Sequence, residues 1–391
     1  MRSTILIVFI LLSFIGVQAQ NTPDYSDTDK KMGLISPNKA NTVDYIAAYI
    51  KMNFKTDEQK TRAAYYWLSQ NIVYDVENMT VVNFYENEQQ VIDEAMKNRK
   101  GVCMHFATLF SWICNRAGVE CFVVSGFTRQ NGKIDVLPHA WNAALVNSKW
   151  ELFDPTWGAG YILNGKYVKR LSNVFFNTAP EEFVKSHNPF DPIWQLLNYP
   201  LTNADFVQNK IAINTKKPLI NFKDSIDVFK KLSIVEQLQT SNRRMKENGL
   251  ENSILQKRYA DIVSQIGRNL KGEMIDIYNQ AVLKCNEAGN DLNEFINYRN
   301  KQFTPTKPDP AIKLMVEQIE NSFLACRVLL NKMTYSDPSI DSLKQQLIKS
   351  IEIATENLNE QKKFLDKYFS TSKLFRKSLF YKYSIMGIPV N

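Results

Sequence analysis

Apolar residues recur with helical spacing near the start of the chain. From Val43 onward they fall three and four positions apart, on one face of a predicted helix: Val43, Ile46, Ala47 and Ile50. A second helix is predicted after Thr56, because Thr56-Asp57-Glu58-Gln59 combines a threonine N-cap with a carboxamide three residues later. Its predicted inner face consists of Ala63, Tyr66, Trp67 and Ile72.

The spacing changes from helical to alternating further along. A helix is predicted over 103–117, where Gly118 ends a face formed by Phe106, Leu109, Phe110 and Ile113. Runs typical of β-strands follow over 119–125, 139–146 and 149–156. The last two are joined at Asn147-Ser148, which predicts an antiparallel hairpin. Helices followed by an antiparallel sheet indicate an α+β fold.

The second half of the chain has a helical pattern throughout. Its apolar stripes are Leu255, Tyr259, Ile262, Ile266 and Leu270, then Ile312, Met315, Ile319 and Phe323, then Leu343, Leu347, Ile351, Ala354 and Leu358. Breaks are predicted at Gly289-Asn290, over 305–310 and at Pro338. These features predict an all-α helical bundle over 223–391, preceded by a linker over 201–222.

The composition is that of a globular protein with enough chain for two domains. The 391 residues are 44% hydrophobic and 23% charged. The net charge of +8 is uneven, because residues 201–391 carry 29 Lys and Arg against 21 Asp and Glu, whereas residues 1–200 carry 19 of each. We interpret the basic excess as a solvated helical surface, with weak contact to an anionic envelope surface as the alternative.

Residues 1–19 have the pattern of a secretory signal peptide. Arg2 precedes an apolar run over 5–14, and small residues at Val17 and Ala19 lead to a predicted cleavage before Gln20. A membrane anchor is the alternative, but the run is shorter than the roughly 20 residues needed to span a bilayer. We therefore expect a periplasmic or secreted protein that does not bind nucleic acid. The polar residues 20–42 are predicted to be a leader with little fixed structure.

The chain has five cysteines, and export would place them where disulfides persist. Cys103 belongs to a motif that needs a free thiol. Cys114, Cys121, Cys285 and Cys326 could form up to two pairs, but their spacing shows no tight disulfide framework. We predict that these four are buried free thiols.

Cys103 opens the predicted helix over 103–117. A thiol at a helix N-terminus faces the positive end of the helix dipole and free backbone N–H groups, which favour the reactive thiolate. The N–H of Cys103 could also face a developing oxyanion. Packing is the alternative for a cysteine at a helix start, and this feature alone does not exclude it.

His139 begins one strand of the predicted hairpin, and Asp154 ends the other. If the hairpin turns at Asn147-Ser148, Asp154 lies opposite Trp141 and Thr156 lies opposite His139. His139 and Asp154 are then diagonal neighbours on one face, within about 7–8 Å. This suits a general base and the acid that orients it. The alternative is a core histidine and an aspartate that forms a turn before Pro155.

These residues lie in blocks that resemble the transglutaminase-like superfamily, and its kyphoscoliosis-peptidase-like branch in particular. The resemblance covers residues 60–200 and rests on WLSQNIVYD, GVCMHFA, HAWN, WELFDPTWGAG and PEEFVKSHNPFDPIWQLL. It implies a papain-like core, with the cysteine on a central helix against a β-sheet, and a catalytic domain over 43–200. It also implies Cys103 as nucleophile, His139 as base and Asp154 as third member of the triad.

Two other histidines are assigned supporting roles. His105 stands where the family often has glycine, and two residues along a helix is not the same face as Cys103. We expect it in the core or on the surface, with a substrate contact as the alternative. His187 belongs to the branch-specific block, and we expect it to be structural, bracing the site. No metal or other cofactor is expected, because the chain has three histidines and no cysteine pair with ligand spacing.

The superfamily includes peptide hydrolysis, acyl transfer to amines and deamidation, and some members have lost catalysis. The prediction is therefore an exported thiol enzyme that acts on peptide or isopeptide amides of a protein substrate, with hydrolysis favoured. Transfer or deamidation is the first alternative. A non-catalytic peptide-binding module with the same fold is the second.

Overall fold

The computed structural model describes residues 24–80, 87–212, 214–216, 219–383 and 389–390. The predicted signal peptide over 1–19 lies outside these residues. The chain forms two compact units. The first comprises the described residues up to 230 with Arg244–Gln256, and the second comprises Lys231–Arg243 and the described residues from 257 onward. The domain boundaries proposed from the sequence stay predictions.

The described residues alternate between helices and strands in the first unit and are mainly helical in the second. The α-helices are α1 Ser26–Met32, α2 Val43–Asn53, α3 Asp57–Asn71, α4 Glu88–Asn98, α5 Cys103–Ala117, α6 Pro155–Ala159, α7 Pro180–Phe183, α8 Asn203–Val207, α9 Phe222–Phe229, α10 Ile234–Glu247, α11 Ser253–Asn300, α12 Asp309–Asn331 and α13 Pro338–Ser370. The strands are β1 Val73–Tyr74, β2 Lys100–Gly101, β3 Cys121–Gln130, β4 Lys133–Val146, β5 Lys149–Phe153, β6 Gly160–Leu163, β7 Lys166–Lys169, β8 His187–Pro189, β9 Lys382–Tyr383 and β10 Pro389–Val390. Short 3-10 helices cover Pro192–Gln195 and Arg376–Phe380.

The prediction that residues 20–42 have little fixed structure is wrong for the part that the structure describes. Residues Ser26–Met32 form α1, and Met32 and Ile35 are buried in the core of the first unit. The buried guanidinium of Arg62 on α3 holds this segment through bidentate hydrogen bonds to the Asp29 carboxylate, both at 2.7 Å. The pairing partner lies 33 residues away, so local composition could not reveal it.

The helices predicted from apolar spacing are confirmed. The buried residues of α2 are the four predicted ones, and α3 begins with the predicted capping box between Thr56 and Gln59. The third predicted helix is α5, which ends at Gly118 with φ of 90°, a backbone conformation that favours glycine. Helix α5 is the centre of the first unit and packs against α2, α3, β3 and β4.

A four-stranded antiparallel sheet has the order β5-β4-β3-β8. The predicted hairpin register is confirmed, since Val146 pairs with Lys149 and Asn142 pairs with Phe153. The predicted strand over 149–156 is too long, however. It ends at Phe153 because Pro155 starts α6, so Thr156 lies in a helix and not opposite His139. A central helix against this sheet gives the α+β fold.

Part of the predicted linker is packed in the first unit. Residues Asn203–Val207 form α8, and Leu201 and Phe206 are buried. The guanidinium of Arg129 on β3 donates to the carbonyl of Phe206 and lies over its ring. This segment therefore contributes to the fold of the first unit.

The long helices α11, α12 and α13 share an apolar core in the second unit. The predicted breaks over 305–310 and at Pro338 are confirmed, because α12 starts at Asp309 and α13 at Pro338. The predicted break at Gly289-Asn290 is wrong, since α11 continues through it. The buried residues Ala288 and Leu292 hold the helix on both sides, which outweighs the cost of about 1 kcal/mol for a glycine inside a helix.

The basic and aromatic end of the chain packs into this core. Phe364, Tyr368 and Phe380 are partly buried against the apolar cluster, and the Lys362 ammonium pairs with Glu320. These contacts favour a terminal helix of the bundle, and contact with an envelope surface stays untested. Among the described residues, none of the helices combines the length and apolar character that a bilayer span requires.

All five cysteines lie within the described residues and are free thiols. Cys114, Cys121 and Cys326 are buried as predicted, but the predicted burial of Cys285 is wrong, since it is half-buried, as is Cys103.

Candidate active site

Cys103 is the first residue of α5, at the N-terminus of a 15-residue helix. Its backbone N–H is among the first four of the helix, which have no acceptor within the helix. Val102, the N-cap residue, has no side-chain acceptor. Instead, His105 Nδ1 accepts the Val102 backbone N–H at 3.1 Å and fixes the entry of the chain into the helix.

His139 lies on β4, paired with Gly126 of the neighbouring strand β3. Its side chain is 9% exposed, and its Nε2 atom lies 2.8 Å from Asp154 Oδ2. The Cys103 side chain lies close enough to the ring to help raise the pKa of His139. Since Nε2 faces Asp154, Nδ1 is the nitrogen left for the thiol. The structure thus brings the three predicted site residues together in the order Cys103, His139, Asp154.

The Asp154 carboxylate is fully buried and accepts four hydrogen bonds. Oδ1 accepts the backbone N–H groups of Thr156 and Trp157 at 2.8 and 3.1 Å, as the N-cap of α6. Oδ2 accepts hydrogen bonds from Nε2 of His139 at 2.8 Å and from Nε2 of His187 at 3.1 Å. The carboxylate is therefore fixed at both oxygens.

The site favours a charged pair of His139 and Asp154. Burial alone would lower the pKa of His139, but the charge of Asp154 and the hydrogen bonds with Asp154 and Cys103 raise this pKa to about 10. Burial alone would raise the pKa of Asp154, but the charge of His139 and the hydrogen bonds from both histidines hold it well below its usual range. An imidazolium next to Cys103 is the partner that stabilises a thiolate.

His187 was expected to be structural, and the structure places it in direct contact with the predicted triad. It lies on β8, which pairs with β3, and its ring is fully buried. Burial lowers the pKa of His187, although Asp154 acts in the opposite direction. One signal was available before the structure, a histidine inside the branch-specific block, but no local pattern places β8 beside β3.

Asn142 is a residue whose role the sequence did not indicate. Its amide Nδ2 donates to the carbonyl of Ala107 on α5 at 2.9 Å and to the carbonyl of Phe122 at 3.2 Å. Asn142 is fully buried in the strand that carries His139, so it joins this strand to the helix that carries Cys103. A buried asparagine within a strand is unusual, and this was the available signal.

Aromatic side chains line the site. The half-buried ring of Trp157 lies 5.5 Å from the His139 ring, centroid to centroid. Tyr74, on β1, pairs with Gly101 two residues before Cys103, and its ring contacts Phe106. Burial and the nearby Cys103 raise the pKa of Tyr74, so its hydroxyl stays protonated.

His105 is buried, as expected for a core residue. Its ring packs on Gly101, where a Cβ atom would lie 2.5 Å from the His105 Cβ atom. The alternative role, contact with substrate, stays a prediction.

His139, Asp154 and His187 offer three ligand atoms within 4.8 Å of one another, a spacing that a metal ion could use. Both Nε2 atoms, however, point at the same oxygen in hydrogen bonds. The arrangement is accounted for as a hydrogen-bonded network that orients His139.

Comparison with known proteins identifies the family of this region. Residues 44–155 match the model of the transglutaminase-like superfamily. The kyphoscoliosis peptidase of Homo sapiens is 28% identical over 180 residues, which cover 43% of this chain and 26% of that protein. The kyphoscoliosis peptidase of Mus musculus is 30% identical over 164 residues, 39% of this chain and 24% of that protein. The chain thus spans about a quarter of the length of these relatives.

A crystal structure described as that of a TGase is also similar. It is 21% identical to this chain, with a TM-score of 0.25, and the similarity covers 41% of this chain and 40% of that one.

Proposed function

We propose, from the premise that residues 44–155 form a transglutaminase-like domain, that this chain is a thiol enzyme that cleaves peptide or isopeptide amides. Cys103 is the nucleophile, His139 the general base and acid, and Asp154 the group that orients His139. Hydrolysis is favoured over transfer because the relatives of this region include proteins named as peptidases.

One observation carries the proposal. A half-buried cysteine at a helix N-terminus lies beside a histidine whose Nε2 atom is 2.8 Å from a fully buried carboxylate. Each part serves nucleophilic catalysis, since the thiol is accessible, the base is adjacent and the base has an orienting partner. Packing alone would not require a buried ion pair beside a thiol, because burial of charges is costly.

The first chemical step forms a thioester. The Cys103 thiolate attacks the amide carbonyl carbon, and the carbonyl oxygen becomes an oxyanion that the N–H of Cys103 can stabilise. As the C–N bond breaks, the His139 imidazolium donates its Nδ1 proton to the leaving amine. The products are a free amine and an acyl group on sulfur, with a neutral His139.

The second step releases the acyl group. His139 takes a proton from a water molecule, whose oxygen attacks the thioester carbonyl and expels the Cys103 thiolate. The product is a carboxylic acid, and the enzyme returns to its starting charge state. A primary amine in place of water would give a new amide, and the same residues would serve this transfer.

The test uses the full chain with denatured casein and a tagged primary amine. We expect new casein peptides and little tag incorporation, both abolished in Cys103→Ala. The matched control is Cys285→Ala, which removes another half-buried thiol, in the second unit. If the tag is incorporated without cleavage, and this depends on Cys103, the activity is acyl transfer and not hydrolysis. If a folded wild-type chain forms neither product, this result contradicts catalysis on this substrate class.

Export is proposed separately, from the signal-peptide pattern over 1–19. Expression of the whole chain in a bacterium with a two-membrane envelope, followed by fractionation and mass determination, would test it. We expect an exported chain that begins at Gln20. Deletion of residues 5–14 should retain the chain in the cytoplasm, and an uncleaved wild-type chain in the cytoplasm would contradict export.

A further inference from the structure

Two imidazoles share one carboxylate oxygen in the candidate site. Nε2 of His139 lies 2.8 Å and Nε2 of His187 lies 3.1 Å from the Oδ2 atom of Asp154. The proposed chemistry uses His139 and Asp154 but gives no role to His187.

The contact with Asp154 defines which nitrogen of His187 is a hydrogen-bond donor. Because Asp154 is an acceptor at both oxygens, Nε2 of His187 carries the hydrogen of this contact. Its other nitrogen, Nδ1, lies 2.8 Å from the hydroxyl oxygen of Ser186, which can donate to it or accept from it. Burial lowers the pKa of His187 and so favours the neutral ring, in which Nε2 donates and Nδ1 accepts.

An aromatic enclosure fixes the plane of the His187 ring. Phe183 stacks on it with centroids 4.1 Å apart, and Trp157 follows at 4.5 Å. Trp141 and Phe175 lie at 5.2 and 6.0 Å. Such apolar surroundings exclude water and disfavour a second charge next to the His139 imidazolium.

The sheet register explains why the two histidines converge. Strand β3 lies between β4 and β8, with Gly126 opposite His139 and Thr128 opposite His187. Residues two apart on a strand share a face, and paired residues across strands project to the same face. Both imidazoles therefore reach Asp154 from the same side of the sheet.

We propose that His187 is a positioning residue, whose N–H holds the Asp154 carboxylate in the orientation that keeps His139 turned toward Cys103. This role rests on the proposed function, because it presumes that Cys103 and His139 form a reactive pair. His187 transfers no proton and does not touch the reacting atoms.

The test compares His187→Gln with His187→Leu. The glutamine amide can place an N–H near the position of Nε2, whereas leucine keeps the bulk without a donor. The readout is the rate of Cys103 alkylation by iodoacetamide between about pH 5 and about pH 10, followed by mass spectrometry, with His139→Ala as the reference for an unpaired thiol. The charged groups that face His187, namely Asp154, His139 and Asp135, are unchanged in both variants.

We expect Cys103 in His187→Leu to be alkylated about tenfold more slowly than in wild type near pH 6, and at a similar rate near pH 10. His187→Gln should restore the wild-type profile. A packing defect alone would not give a loss confined to low pH and repaired by glutamine.

Three outcomes overturn the positioning role, and they separate it from the proposed function. A wild-type profile in folded His187→Leu removes the role of His187 and leaves the thiol enzyme intact. The same loss in both variants assigns His187 to packing alone. If Cys103 of the wild-type chain is alkylated at the same rate as in His139→Ala, the positioning role of His187 and the proposed thiol enzyme are both contradicted. If wild type shows a reactive pair but cleaves no peptide, the proposed function fails while the alkylation profiles still decide the role of His187.

Discussion

The side-chain amide of Asn142 and the main-chain carbonyl of Ala107 lie 2.9 Å apart and join the strand of the base to the helix of the nucleophile. Ala107 is one turn along α5 from Cys103, and Asn142 is three residues along β4 from His139. The Oδ1 atom of Asn142 is buried without a hydrogen-bond partner among the described residues. We therefore expect Asn142 to align the site at some cost in stability.

Replacement of this amide tests its alignment role. Asn142→Leu should lower peptide turnover on the order of 10- to 100-fold, because a small displacement of reacting groups slows catalysis strongly. The fold should survive, since leucine fills the volume and removes an unpaired oxygen. Turnover and a urea unfolding curve would measure both effects. Asn98→Leu, at an exposed asparagine on α4, is the control. Unchanged turnover in Asn142→Leu would contradict the role.

The charge of Asp154 is the target of a second prediction. Asp154→Asn keeps the size of the side chain but offers one acceptor oxygen to four donors. We expect turnover to fall on the order of 10²- to 10⁴-fold, because His139 loses its partner and its orientation. Asp135→Asn is a matched control, since Asp135 accepts from Thr128 and Gln130 instead of His139. Equal losses in the two variants would argue against a specific role for Asp154.

The pKa of His139 predicts how its contribution to stability depends on pH. This pKa is raised from about 6.5 in the unfolded chain to about 10 in the folded one. Its stabilisation is therefore complete below about pH 6.5 and is lost as the pH rises through about 10. The unfolding free energies of wild type and His139→Gln, from urea curves at several pH values, should differ most between about pH 4 and about pH 6.5, where His139 and Asp154 are both charged, and converge toward pH 10. A constant difference would show that His139 is neutral in the fold.

The contact between Gly101 and His105 can be tested by a double-mutant cycle. A Cβ atom at residue 101 would lie 2.5 and 2.7 Å from the Cβ and Cγ atoms of His105. Gly101→Ala should therefore destabilise the chain by about 1–3 kcal/mol, as overpacking does. In the His105→Gly background the same substitution should cost much less. Additive losses would mean that the strain lies elsewhere than in this contact.

Much of the first unit followed from short-range patterns. The inner face of α2, the capping box of α3 and the end of α5 at Gly118 were predicted from residues a few positions apart. The hairpin register also followed from its turn, and it placed Asp154 near His139. Periodicity and caps are local properties of the chain, so the sequence determines them directly.

Other features depended on pairings between distant residues. The hydrogen bond between Asp29 and Arg62 holds α1 against the core of the first unit. The packing of Ala288 and Leu292 stabilises α11 on both sides of Gly289, so the helix continues there. Strand β5 is shorter than predicted because α6 begins at Pro155. Asp154 is therefore the N-cap of α6 as well as the partner of His139.

The sequence by itself determined that a cysteine would open a helix and that a histidine and an aspartate would share one end of a hairpin. Only the tertiary structure placed β3 between β4 and β8 and so brought His187, 33 residues after Asp154, to the same carboxylate oxygen. The reason is physical. A strand pattern specifies which residues share a face, but which strands become neighbours depends on the packing of the whole sheet against α5.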